Sequence, residues 1–510
     1  MASNQGVGGS SPSERTRRYY MEIKPSQIPP EVLAVIETLK RGGHEAYIVG
    51  GCVRDLLLGR KPKDWDVTTN ATPEDIQKLF EETYYTNEFG TVGVVNASVS
   101  DESLKVVEVT PYRLEGRYSD SRRPDSVVFS QSLADDLKRR DFTINALAYD
   151  PTEGELVDFY DGVRDIDGKL LRAVGEPKAR FEEDALRLLR AIRISAELGF
   201  AIEGHTLAAI GETASKLEMI SKERIQAEFV RILNSDKPMD ALMLCNKLGL
   251  LKYIAPELEE GIGIEQNQAH SFDVWEHNLR ALQHAADKGW PFSVRIAALF
   301  HDVGKPKTRR RDEAKGDWTF HGHDVVGARM TRKALENLKF SRETIDDTAN
   351  LVRWHMFFSD PDKITLSAVR RIIRNVGPEH IEELINLRIC DRIGTGRPKE
   401  QPFRLRKYQA MIEEALRDPI SVSMLKIDGA KLMEMGERPG PKFSWVLHAL
   451  LEEVLDDPTR NTVEYLEGRA KELFALPDEE LRKLGEEGKE KKAEAEEAEV
   501  KDIHKKHFVD

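Results

Sequence analysis

The sequence predicts an α/β head followed by an all-α remainder, and three observations lead there. From residue 28 to about 165, short apolar runs of strand length alternate with helical patterns. Past Asp167 the apolar residues recur at helical spacing, with Gly and Pro only as punctuation. Near the start of the head, a strand pattern runs straight into Gly50-Gly51 and a helix, an arrangement that leaves backbone amides at a helix N-terminus.

In the head, Pro30 to Gly42 carries Val32, Leu33, Val35, Ile36 and Leu39 at helix spacing, with Gly42-Gly43 as the stop. Ala46-Tyr47-Ile48-Val49 is a buried-strand pattern, and Val53 to Leu58 a helix. Trp65 to Thr69 predicts a second strand. Thr72-Pro73-Glu74-Asp75 opens a helix, with Thr72 as N-cap, Pro73 at the first position and Asp75 in the capping-box slot. Thr91 to Asn96 and Leu104 to Thr110 predict two further strands. Beyond the head, Phe181 to Leu198 is a strong amphipathic helix, followed by helical runs at Ile225 to Leu233, Ala241 to Leu248, Val274 to Ala286, Val294 to Phe300 and Ile381 to Ile389. Pro477 to Lys506 is dominated by Glu, Lys and Ala and predicts a solvated helix or disordered tail, from which no core can be built.

The expected organisation is a disordered leader (1–27), the head (28–165), a helical neck (166–235), a second helical domain (236–400), a C-terminal helical region (401–476) and a charged tail (477–510). A hydrophobic content of 40% with 32% charged residues suits a soluble chain rich in charged helices. The formal charge of −13 gives no global attraction for nucleic acid, so such a partner needs a local basic surface. Cys52, Cys245 and Cys390 lie far apart, which argues against a disulfide framework or thiolate zinc site and fits a cytoplasmic, reducing location. No run of about 18 apolar residues predicts a membrane span. Met1 to Arg18 lacks the apolar stretch of a signal peptide. No segment points to an obligatory protein partner.

Gly50 and Gly51 allow close backbone approach to a phosphate, and Arg54, one turn on, presents a fork suited to a triphosphate oxygen. Asp64-Trp65-Asp66 follows. On a strand, alternate side chains share a face, so both carboxylates point into one site. Such a pair suits Mg²⁺, a hard cation that binds few protein oxygens plus substrate phosphates, and two such ions stabilise the attacking and leaving oxygens of an in-line displacement. Glu108 on a later strand can supply a third carboxylate.

Tyr47 to Asp55 with Lys63 to Pro73 closely resembles the opening motif of bacterial-type (class II) CCA-adding tRNA nucleotidyltransferases and their relatives, the bacterial poly(A) polymerases. Asp136-Leu137-Lys138-Arg139-Arg140-Asp141-Phe142-Thr143-Ile144-Asn145-Ala146-Leu147 is similar to that family's ribose- and triphosphate-binding segment, and Arg180 to Arg193 to its nucleotide-selecting helix. The resemblance implies a polymerase-β-like head in which Asp64, Asp66 and Glu108 are catalytic, and Gly50, Gly51, Arg54, Arg140, Asp141 and Asn145 bind nucleotide. Asp184 and Arg187, three apart on one helix, share a face. Their acceptor and donor groups match the exocyclic amine and ring nitrogen of cytosine or adenine, and clash with uracil and guanine. The resemblance places Arg190 and Arg193 toward the phosphates. The implied reaction is untemplated transfer of CMP and AMP from CTP and ATP to the tRNA 3′ end. Asn87 to Val94 resembles the tRNA-specific branch, and Arg113 to Ser126 the loop used in switching from C to A. CC-only and A-only enzymes share nearly all these motifs.

A second set lies downstream: His277, His301-Asp302, His323, His355 and Asp391. Imidazoles and carboxylates spread over several helices suit a transition ion such as Mn, Ni, Co, Fe or Zn. In order, His277, His301-Asp302 and Asp391 resemble the HD phosphohydrolase superfamily, and His323 with His355 the additional pair of its two-metal members. That resemblance implies phosphatase or 2′,3′-cyclic phosphodiesterase chemistry, with Lys305 a candidate phosphate contact. Basic stretches open to RNA are Arg370-Arg371 with Arg374, Arg388 to Lys399, Arg404 to Lys407, and Lys307 to Arg311. The competing readings are a poly(A) polymerase, an HD hydrolase whose head only binds RNA, and a signalling-nucleotide synthetase–hydrolase, whose two domains usually come in the opposite order.

Overall fold

The computed structural model describes residues 23–486 apart from 87–89, 98, 116–126, 269, 314–315 and 358–363. Most of the expected leader, part of the segment compared with the tRNA-specific branch, the body of the expected switching loop and the tail beyond residue 486 lie outside the described residues. Two compact units form. One runs to Glu183 and includes Ala201–Thr206; the other comprises Asp184–Phe200 and everything from Leu207.

The first unit is built on a seven-stranded mixed sheet. In chain order the strands are β1 (Ala46–Val49), β2 (Asp66–Thr69), β3 (Thr83–Tyr85), β4 (Val92–Val95), β5 (Val106–Pro111), β6 (Arg113–Glu115), β7 (Val127–Phe129), β8 (Leu147–Asp150) and β9 (Glu155–Asp158). The sheet order is β3-β4-β5-β2-β1-β8-β9, with β6 and β7 forming a separate ribbon. Only β2 and β5 of the large sheet pair in parallel, and that register sets Asp66 opposite Glu108. The helix Pro30–Arg41 buries Val32, Val35, Ile36 and Leu39, one stripe of its surface. Thr72 caps the helix Pro73–Leu79 by accepting from the Asp75 amide at 3.2 Å.

Residues 166–183 fold with this unit rather than with the helices that follow. Strand β10 (Leu170–Leu171) pairs in parallel with β11 (Ala201–Ile202), Phe142 bridges to Ala173, and the Ala173 amide donates to Thr206 Oγ1 at 3.1 Å. The amphipathic stretch 181–198 is not one helix, as expected, but two, Pro177–Glu183 and Leu186–Leu198. Asp184 causes the break: its Oδ1 accepts from the Leu186 amide at 3.0 Å, a local bond that competes with helix continuation.

Among the described residues, the second unit is helical apart from a hairpin of β12 (Arg310–Asp312) and β13 (Asp317–Thr319). Its core gathers Val369, Ile373, Leu387, Ile412, Leu450 and Leu473 from successive helices. The expectation that nothing past Pro477 contributes to a core is corrected here. Helix Asp478–Glu486 buries Leu481 completely, and Gly485 lies so close to Trp445 that an added Cβ would meet its Cα at 2.4 Å. Leu481, with the partly buried Leu484 on the same face, docks an otherwise charged helix. Among the described residues, no helix is long and apolar enough to cross a membrane.

Candidate active sites

The head site starts from Gly50, whose φ of +86° is a conformation that side-chain-bearing residues rarely adopt. A Cβ there would also stand 3.0 Å from Arg140 Nη1 and 3.6 Å from Asp66 Oδ2, so the glycine lets strand, arginine and carboxylate converge. Gly51 begins the helix Gly51–Leu57, which carries Arg54. Arg54 donates from Nε (2.9 Å) and Nη2 (2.8 Å) to Asp55 Oδ1, and from Nη1 to Asn145 Oδ1 (2.7 Å). Asn145 Nδ2 in turn donates to Asp141 Oδ1 at 3.1 Å, which fixes its amide. Arg140 Nη2 donates to Asp136 Oδ2 at 2.9 Å.

Asp136 was not expected as a site residue. It is fully buried and grips both Arg139 and Arg140. Burial opposes its ionisation, but the two guanidiniums outweigh that and hold its carboxyl below the usual range. The signal was present in the sequence as an acid three and four residues ahead of two arginines.

Strand β2 begins at Asp66, so Asp64 lies just ahead of the strand rather than within it. The Glu108 amide donates to the Trp65 carbonyl at 3.1 Å. Glu108 is held above the ordinary carboxylate value, first by burial and then by the charge of Asp64. Half-buried like charges of this kind form a donor set that a hard divalent cation neutralises. Cys52, beside these acids, is no nucleophile: burial and the Asp66 charge push its thiol up to about 12.

Asp184, Arg187, Arg190 and Arg193 belong to the second unit. Asp184 precedes its helix instead of sharing a helical face with Arg187; its carbonyl accepts from the Arg187 amide at 3.0 Å, and its Oδ2 pairs with Arg224 Nη2 at 2.8 Å. Arg224, forty positions along, left no local signal in the sequence. Arg187 is buried and Arg190 partly so. The expectation for Arg193 needs correction, because it is buried and bound to Glu228 at 2.5 Å and Glu197 at 2.9 Å, and so serves as an internal ion pair.

The downstream histidines form a far tighter centre. His277, His301, Asp302 and Asp391 each offer a ligand atom within 4.8 Å of the others, and so do Asp302, His323 and His355. Among the described residues these are the two such groups, and the head carboxylates do not form one. Asp302 belongs to both: Oδ2 lies 3.1 Å from His277 Nε2 and 3.4 Å from His301 Nε2, while Oδ1 lies 3.3 Å from His323 Nε2 and 3.6 Å from His355 Nε2. Three imidazoles are oriented alike by the carbonyl three residues back. Nδ1 of His301 faces the Ala298 carbonyl (2.8 Å), that of His323 the Phe320 carbonyl (2.7 Å) and that of His355 the Val352 carbonyl (2.6 Å). In the neutral imidazole that a metal ion binds, donation from Nδ1 leaves Nε2 as the acceptor.

Buried charges of this density need compensation. Burial would depress the His301 imidazole, but Asp302 and Asp391 outweigh it and hold it up to about 10. Burial would raise Asp302, but Lys305, His301 and His277 hold it well below the usual range. Lys305 is therefore an internal partner of Asp302, at 2.6 Å, with Gln266 Oε1 also at 2.6 Å. Gly304 makes room for this cluster: a Cβ would fall 2.3 Å from the His323 carbonyl oxygen and 2.5 Å from the Gly327 amide. Four imidazoles and two carboxylates, all buried, fit transition ions by donor type.

One expected basic surface is not available. Arg370 binds the Leu455 carbonyl and Asp418, Arg371 binds Glu452 and Asp456, and Arg374 binds Glu452. Those arginines pin the helix Leu366–Val376 to its neighbours.

Comparison with known proteins agrees with this geometry. Residues 46–172 match the poly A polymerase head domain, 199–262 a probable RNA and SrmB-binding site of polymerase A, and 274–395 the HD domain. The CCA-adding enzyme of Leuconostoc citreum is 42% identical over 242 residues, 47% of this chain and 58% of the relative. That of Levilactobacillus brevis is 42% identical over 414 residues, 81% of this chain and 90% of the relative. The chain thus spans little more than half of the first relative's length and nearly all of the second's. The crystal structure of the Bacillus stearothermophilus CCA-adding enzyme in complex with CTP superposes with a TM-score of 0.64 at 29% identity, covering 87% of this chain and 98% of that one. A Thermotoga maritima CCA-adding enzyme, at 19% identity and a TM-score of 0.53 over 88% of this chain and 97% of that one, shares the fold. With a polymerase-type head, an HD centre and a relative of 42% identity along nearly its whole length, the chain belongs to the family of CCA-adding enzymes.

Proposed function

We propose that this chain adds CMP and AMP, from CTP and ATP, to the 3′ end of tRNA. The observation that carries the reading is the register of β2 on β5, which sets Asp66 beside Glu108 at the glycine turn where Arg54 and Arg140 are anchored. The name shared by the curated relatives and the CTP complex of the Bacillus enzyme support it. In the reaction the terminal hydroxyl oxygen of the RNA forms a bond to the α-phosphorus, and the bond to pyrophosphate breaks. Asp64, Asp66 and Glu108 would hold Mg²⁺, which when bound offsets the charge of the reacting phosphates. Arg54 and Arg140 meet the triphosphate with forks that Asn145, Asp55 and Asp136 hold in place. Asp184 keeps free lone pairs beside its bonds to Leu186 and Arg224, and with Arg187 reads the base edge. Incubating the full chain with tRNA lacking its terminal CCA, with CTP and ATP separately and together, tests this. Both nucleotides should enter, and Asp64→Ala or Asp66→Ala should abolish entry. Long A-tails without C would overturn the assignment in favour of a poly(A) polymerase.

A second reading rests on the two ligand groups that share Asp302. We infer a phosphoester hydrolase there that clears damaged 3′ ends. Its residues would hold Mn, Fe, Co, Ni or Zn, which when bound activates water and polarises the ester. The chain's own part is to hold the ligands dry and to keep Nε2 of His301, His323 and His355 turned inward. Three buried free thiols support a reducing, cytoplasmic setting.

A further inference from the structure

The turn that presents Asn145 is itself held from behind. It is a single 3-10 turn, Thr143–Asn145, closed by the Asn145 amide on the Phe142 carbonyl (2.9 Å) and the Ala146 amide on the Thr143 carbonyl (3.0 Å). Each end carries a side chain committed to another segment. At one end Asn145 Oδ1 accepts from Arg54 Nη1 at 2.7 Å. At the other, Thr143 Oγ1 donates to Asp165 Oδ2 at 2.6 Å. Thr143 and Asp165 are buried, so their bond does not compete with bulk water.

Asp165 lies on the helix Gly162–Asp167 and is anchored in turn. Arg172 Nε donates to its Oδ2 at 3.1 Å and Arg172 Nη2 to its Oδ1 at 3.3 Å, a fork that fixes the plane of the carboxylate. The backbones run together as well: the Thr143 amide donates to the Arg172 carbonyl at 2.9 Å, and the Val174 amide to the Asp141 carbonyl at 3.1 Å. Gly162 lets the helix come this near, since a Cβ there would fall 2.4 Å from the Thr143 carbonyl oxygen. On the other side of the turn, Asp55 is Arg54's own neighbour on the helix and moves with it. Asn145 is therefore the contact that refers the Arg54 fork to the rest of the head.

We propose that Asp165 is a positioning residue for nucleotidyl transfer: through Thr143 it fixes the turn that presents Asn145, and Asn145 fixes the Arg54 guanidinium for the triphosphate. The inference rests on the proposed role of the head. Asp165 stays buried behind the turn and acts through the two residues between it and Arg54.

The test measures equilibrium binding of CTP and of ATP to the full chain in Mg²⁺ without tRNA, so that no transfer follows. Thr143→Val keeps the volume, removes the hydroxyl and leaves Asp165 paired with Arg172, so the fold should stand. It should weaken both nucleotides equally, by about tenfold, the low end for a hydrogen bond to a charged group. The losses are equal because the fork meets the triphosphate whatever the base. Thr143→Ser should restore both. In steady-state transfer, KM for CTP should rise while KM for tRNA lacking its CCA end stays within about twofold, as expected for a site not shared with the nucleotide. Asp165→Ala should act in the same direction as Thr143→Val. In an Arg54→Ala background, Thr143→Val should cost less than about twofold more, because members of one relay are not additive. A full loss in that background, a loss for CTP that spares ATP, or unchanged binding to Thr143→Val overturns the proposal. If the unaltered chain binds both nucleotides and transfers neither, the proposed function fails by itself, and the binding cycle still decides the relay. Binding of neither nucleotide overturns both.

Discussion

Half-buried Glu108 and fully buried Asp136 are carboxylates with opposite tendencies, and each makes a prediction. Glu108 has a raised value in the folded chain, so its contribution to stability is present when it is protonated and is lost as pH rises through that value. At neutral pH the ionised group opposes folding of the metal-free head. Glu108→Gln should therefore raise the melting temperature in EDTA while lowering nucleotide incorporation in Mg²⁺; a lower melting temperature would count against the crowded-carboxylate reading. Asp136 has a lowered value, so its contribution is present above the unfolded carboxylate range and is lost as pH falls through the folded value. Asp136→Ala should cost about 2–4 kcal/mol in denaturant unfolding at pH 7, less than the fully buried limit because its arginine partners are partly exposed. It should also raise KM for CTP, since Arg140 loses its anchor.

At the scale of elements, the structure shows which patterns are legible from sequence. The run from β1 through Gly50-Gly51 into its helix was legible because every determinant is local: an apolar strand, a residue with positive φ and a helix start. The alternation argument for Asp64 and Asp66 reached the right neighbourhood, though the strand proper starts one residue after Trp65. Arg193 was misread because half of its explanation, Glu228, lies on another helix 35 residues away. Arg370, Arg371 and Arg374 were open to an RNA reading for the same reason, their partners following at Asp418, Glu452 and Asp456. A run of arginines does not reveal in sequence which of them already have partners. Asp184 makes a related prediction: its Oδ1 accepts from the Leu186 amide at the start of the helix Leu186–Leu198, and on the proposed reading the same carboxylate reads the base. Asp184→Asn keeps a good cap, so stability should change by only a few tenths of a kcal/mol. Discrimination of CTP and ATP against UTP and GTP should still collapse in single-turnover competition. Retained discrimination would show that Asp184 is only a cap.

For the whole molecule, the α/β head and helical remainder were predictable from periodicity, but the docking of the helix Asp478–Glu486 was not. Leu481 is fully buried in a stretch dominated by charge, and composition alone assigns such a stretch to solvent. Leu481→Ala should cost about 2–4 kcal/mol of second-unit stability, readable as an earlier thermal transition. A change below 0.5 kcal/mol would mean that the helix Asp478–Glu486 is not docked in solution.

The two centres also differ in how failure spreads through them. In the head, Asp64 and Asp66 lie on one backbone segment and Glu108 on another, and no single carboxylate faces two imidazole pairs. The HD centre has one shared member, because the two oxygens of Asp302 face different imidazole pairs. Asp302→Asn should therefore empty both ligand groups in a metal-content measurement, whereas His355→Ala should spare the group formed with His277, His301 and Asp391. In engineering terms, both ligand groups of the HD centre hang on one residue. On the proposed reading, one amide in place of one carboxylate would silence the HD centre and leave nucleotide addition in place.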